Sequence, residues 1–102
     1  MPAWVYVFDM LKPLSMDPDV AFRLVRENPL KLFVLVRDVV GEYVGSIEHV
    51  NIHGMYFSTH EPEFVVEYMV KCVHGEVSVK IIYSEDPVKA LAKYYKHEKE
   101  GL

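Results

Sequence analysis

The chain has 102 residues, of which 51% are hydrophobic and 25% charged, with a formal net charge of −4. That length suits one domain, so a single α+β domain over 1–102 is expected, and the apolar content excludes a disordered chain. No apolar run approaches the roughly 18–20 residues of a membrane span, and the start Met1-Pro2-Ala3-Trp4-Val5 lacks the basic stretch of a secretory signal; a cytoplasmic location without a membrane partner is the expectation.

Residues 4–8 are apolar on both alternating faces, the pattern of a strand covered on both sides. Asp17-Pro18 then reads as a helix start. The carboxylate accepts from the free N–H groups of the first turn, and the proline occupies a position whose N–H has no intrahelical partner. Behind it Val20, Ala21, Phe22, Leu24 and Val25 share one side, Arg23, Arg26 and Glu27 hold the other, and Asn28-Pro29 ends the run. Residues 32–36 form a second doubly apolar run and predict a second strand. The stretch 39–48 is two-valued: Gly41 and Gly45 argue for a hairpin, while Val40, Tyr43, Val44 and Ile47 fit a helix. Residues 49–58 alternate as a strand, with Gly54 permitting a bulge.

Glu61-Pro62 repeats the acid-proline signal. Behind it Glu63, Glu67, Lys71 and His74 fall on one narrow stripe, and Gly75 offers a cap. A helix over 62–74 is therefore predicted, with a valine-rich strand as the competing reading. Residues 77–83 predict a strand. Asp86-Pro87 starts a last helix to about residue 99, with Val88, Leu91, Ala92 and Tyr95 inward. The order is that of a ferredoxin-like βαββαβ sandwich with an added C-terminal helix. Such a sheet has one face without crossover helices. The doubly apolar strands, with Trp4, Tyr6 and Phe8 alternating on one side, call for a cover there, either the third helix or a second copy; a homodimer is expected.

Three constellations carry candidate chemistry. His49, His53 and His60 lie within twelve residues, and a pair four apart shares a face of a helix or a strand, so a divalent ion such as zinc has candidate ligands. Their spacing matches no established zinc signature, and polar residues on an edge strand are the competing reading. Asp9 ends the first strand; in a ferredoxin-like sheet it would approach His49 and form an acid–base pair. Lys89, Lys93 and Lys96 form a basic stripe beside Tyr94 and Tyr95, a small nucleic-acid footprint that Glu98, Glu100 and the acidic net charge dilute. The single Cys72 reads as a buried small hydrophobe. The absence of glutamine, with only Asn28 and Asn51 as amides, points to a thermophile. No motif specifies a reaction. The expected function is a small, non-enzymatic, dimeric binding or interaction module for an unidentified small-molecule ligand. A metal- or His/Asp-dependent hydrolase and a nucleic-acid-binding accessory protein are the alternatives.

Overall fold

The computed structural model describes residues 2–101 and contains β1 (Ala3–Val7), β2 (Met10–Leu14), α1 (Pro18–Glu27), α2 (Pro29–Val44), β3 (Ile47–Phe57), β4 (Phe64–Cys72), β5 (Gly75–Tyr83) and α3 (Pro87–Glu100). The class is α+β. The strands form one sheet in the order β2-β1-β5-β4-β3, with every neighbouring pair antiparallel. Among the described residues no helix is long and apolar enough to cross a membrane.

This layout differs from the expected βαββαβ order at three elements. Residues 32–36 belong to α2, not to a strand. Asn28 closes α1 by donating its N–H to the Leu24 carbonyl, and it opens α2 by accepting from the Lys31 N–H, with Pro29 in the first turn. The Asn-Pro pair thus stops one helix and starts the next. Five valines lower the helix propensity of α2 by roughly 0.5 kcal/mol each. Burial of Leu32, Phe33, Val36, Val40 and Val44 outweighs this, at about 1.5–3 kcal/mol per side chain. The helix also takes up most of the two-valued stretch, ending at Gly45.

The expected helix over 62–74 is instead β4, a central strand buried on both faces. A spacing of four is even, so Glu63, Glu67 and Lys71 share a face of a strand as well as of a helix. With that periodicity neutral, the β-branched and aromatic content decides. Glu61-Pro62 lies in the β3–β4 loop, where the Ser58 hydroxyl accepts from the N–H groups of His60 and Glu61. Gly75 follows the tight β4–β5 turn at φ 85°, a conformation that glycine adopts without strain. The edge strand β2 has no counterpart among the expected elements. It pairs with β1 through a two-residue turn, Phe8-Asp9.

Alternation along the strands gives the sheet two faces. Val5, Val7, Phe64, Val66, Tyr68, Val70, Val79 and Ile81 point toward α1 and α2, which carry the chain from the β2 edge to the β3 edge. Val65 and Ile82 point the other way and pack with Ala90, Leu91 and Tyr94 of α3. The face that motivated a second copy is therefore covered by the chain's own third helix. That helix is turned by about one residue from expectation: Ala90, Leu91 and Tyr94 are inward, while Val88 and Tyr95 are 68% and 47% exposed.

Candidate functional site

Strand register builds the polar part of the α3-side face. Tyr6 pairs with Lys80, Lys80 with Glu67, and Glu67 with Gly54, so these four make one row across β1, β5, β4 and β3. The next row, Trp4, Ile82, Val65 and Tyr56, is apolar. Beyond it stands a second polar group, Glu63 with Ser84.

The first row holds a buried ion pair. Lys80 and Glu67 are 4% and 8% exposed, and their charged atoms lie 3.4 Å apart. Ser78 donates to Glu67 Oε2 at 2.5 Å, Tyr94 donates to Oε1 at 2.8 Å, and Lys80 donates to the Ser78 hydroxyl at 2.8 Å. Lys80 Nζ also lies 5.5 Å from the Tyr6 ring centroid and 5.2 Å from that of Tyr95, so two aromatic faces flank the cation. Burial pushes the Glu67 carboxyl up, but the hydrogen bonds from Ser78 and Tyr94 and the Lys80 charge outweigh it and hold the group below its ordinary value. The Tyr94 hydroxyl is pushed up, first by burial and then by its carboxylate neighbours Glu98 and Glu67. The approach of Tyr94 depends on Gly54: a Cβ there would meet the tyrosine oxygen at 2.5 Å.

Beside this network, at the β1–β2 turn, is a concavity of about 400 Å³ lined by Tyr6, Phe8, Asp9, His74, Glu76, Val77, Ser78, Lys80 and Tyr95. Phe8 and Asp9 both have left-handed backbones, φ 51° and 58°. That suits a type I′ hairpin turn, but a bulky residue there is a steric outlier. The turn sets the Phe8 ring edge-on to His74, 5.7 Å between centroids, and lets Asp9 accept from the Tyr6 hydroxyl at 2.9 Å. This bond, more than partial burial, raises the Tyr6 pKa.

The residues singled out from the sequence do not converge. β5 and β4 separate β1 from β3, so Asp9 and His49 stand about three strand spacings, or roughly 14 Å, apart. No acid–base pair forms between them. Four residues along a strand span about 13 Å, which separates His49 from His53; the His49 ring contacts Asn51 instead, at 3.1 Å. His60 lies in the β3–β4 loop. Of the three histidines, only His53 belongs to a ligand cluster among the described residues, with Glu67 and Glu98. On α3, Lys93 pairs with Glu63 at 3.2 Å and Glu61 at 3.5 Å, and the hydrogen bond to Glu63 leads in raising its pKa. Lys96 is 4.0 Å from Glu100, and Lys89 stands in the first turn beside Glu85 and Asp86.

The joining of Glu67, Lys80, Ser78 and Tyr94 into one network was not expected from the sequence. Their signal was present: Glu67 and Lys80 are opposite charges inside valine-rich runs, equidistant from the Val73-His74 turn. Reading 62–74 as a helix hid that symmetry. Comparison of the chain with protein-family models, curated proteins and solved structures finds no match in any of the three, so side-chain geometry alone carries its functional assignment.

Proposed function

We propose that this chain is a small binding module whose ligand presents a cationic group, an amine or guanidinium, to the pocket at the β1–β2 turn. One observation carries the reading: the pocket joins the aromatic rings of Tyr6, Phe8 and Tyr95 to the carboxylates of Asp9 and Glu76, while its lysine is already neutralised by Glu67. Lys80 already donates to Ser78 and is paired with Glu67, so an anion finds two carboxylates and an ammonium group whose charge is offset. A cation finds two acidic partners, Asp9 and Glu76, and the Phe8 ring, while Lys80 already lies against Tyr6 and Tyr95. The unusual backbone at Phe8 supports the same reading, because strain retained at a turn is a recurrent mark of functional positions.

The alternatives gain less from the geometry. A His/Asp-dependent hydrolase would need Asp9 beside His49 or His53, but β5 and β4 lie between the strands that carry them. A nucleic acid would meet a lysine stripe interleaved with Glu61, Glu63 and Glu100. Self-association loses its original basis because α3 covers the sheet.

The test is an NMR titration with spermidine and tetramethylammonium, with inorganic phosphate as the anionic counterpart. The cations are expected to shift the signals of Tyr6, Phe8, Ser78 and Tyr95. Asp9→Asn combined with Glu76→Gln is expected to weaken binding about tenfold, since two partly exposed charge contacts contribute roughly 0.5–1 kcal/mol each. Phosphate shifting the same signals, or a double variant that binds the cations like the parent, would overturn the reading.

A further inference from the structure

We propose that His53, Glu67 and Glu98 form a binding site for one divalent transition-metal ion, separate from the pocket at the β1–β2 turn. The three ligand atoms come from three elements, β3, β4 and the last turns of α3, and all lie within 4.8 Å of one another. His53 Nε2 stands 3.9 Å from Glu98 Oε1. Donors about 2.1 Å from a tetrahedral ion stand roughly 3.4 Å apart, so the His53–Glu98 pair must close by about 0.5 Å and no pair by more than about 1.4 Å. The parts that have to move are free to do so: the His53 and Glu98 side chains are 50% and 41% exposed.

Glu67 supplies the fixed corner. Its Oε2 is held by Ser78 and Lys80, and its Oε1 accepts one hydrogen bond, from Tyr94, leaving a second lone pair for a ligand bond. Such outer partners orient a carboxylate before the ion arrives and are a regular part of built metal centres. The irregular register between Ile52 and Gly54 leaves His53 without a strand partner, while Gly54 makes room for Tyr94 beneath it. One imidazole and two carboxylates suit zinc, manganese, iron(II) or cobalt(II) better than a soft, thiolate-seeking ion. Three protein ligands leave coordination positions for water or another small ligand.

Calorimetric titration of the full chain with zinc, and absorption spectroscopy with cobalt(II), test the site. One ion per chain is expected to bind, with visible cobalt bands of reduced coordination symmetry. His53→Ala and Glu98→Gln, both on exposed side chains, are each expected to weaken zinc binding at least about tenfold. His49→Ala, His60→Ala and the Asp9→Asn, Glu76→Gln pair are expected to leave it unchanged, which separates this site from the cation pocket. Thermal melts of the metal-free variants check that the fold is intact. Zinc affinity unchanged in the His53→Ala, Glu98→Gln double variant, or lost on changing His49 or His60, would overturn the proposal.

Discussion

Gly54 shows how much one missing side chain can decide. Its backbone faces the Tyr94 hydroxyl, which donates to Glu67 Oε1. Alanine would place a carbon 2.5 Å from that oxygen but 3.5 Å from the ring carbon bearing it, an ordinary contact. Tyr94 is 1% exposed and has little room to withdraw. Gly54→Ala is therefore expected to cost about 1–3 kcal/mol, the range for overpacking and for a buried polar group losing its partner. In a Tyr94→Phe background the same substitution should cost under about 0.5 kcal/mol, because the clashing atom is gone. Urea denaturation of the four proteins of this cycle measures the difference; equal costs in both backgrounds would show that the hydroxyl is not what the methyl meets.

At the scale of elements, the β1–β2 hairpin trades stability for the placement of two side chains. Its turn needs positive φ at both central positions, which Asn-Gly supplies at little cost and Phe-Asp does not. Replacing Phe8-Asp9 by Asn-Gly is expected to stabilise the fold by about 1 kcal/mol, from relief of the left-handed strain at the phenylalanine. The same change removes one ring and one carboxylate from the proposed pocket, so spermidine binding should fall as the melting temperature rises. A variant that gains stability and keeps its ligand would separate the turn from the function. The three helices follow more ordinary rules. Asp17, Asn28 and Asp86 each accept a backbone N–H from the first turn of the helix they open, and a proline follows each one.

Across the whole molecule, the Glu67–Lys80 pair couples the two halves of the sheet to α3 and makes stability depend on pH. Glu67 titrates below its ordinary value in the folded chain, so it contributes stability above the ordinary carboxylate range and loses it as pH falls through the folded value. Denaturation midpoints measured from pH 7 down to pH 3 are expected to fall for the parent. Glu67→Gln should cost about 3 kcal/mol at neutral pH, because Lys80 is left buried without a counter-charge. That variant should then lose less than the parent over the acid range, and parallel pH profiles for the two proteins would exclude Glu67 as the titrating group.

Local signals along the chain suffice for the α+β class, the caps of α1 and α3, β1, β3 and β5 in outline, and the burial of Cys72. These rest on signals within a few residues: a cap, a proline, an alternation or a short apolar run. Tertiary structure decided what those signals left degenerate. A four-residue spacing satisfies both periods, so the β-branched and aromatic content of residues 64–72 took effect as a strand through packing between β3 and β5. A doubly apolar run is helix or strand alike, so only the core beneath α2 made residues 32–36 helical. The candidate sites belong to the same class. His49 and His53 are near in sequence and far apart on an extended strand, whereas His53 and Glu67 meet because β3 pairs with β4, and Glu98 joins them because α3 packs on that face of the sheet.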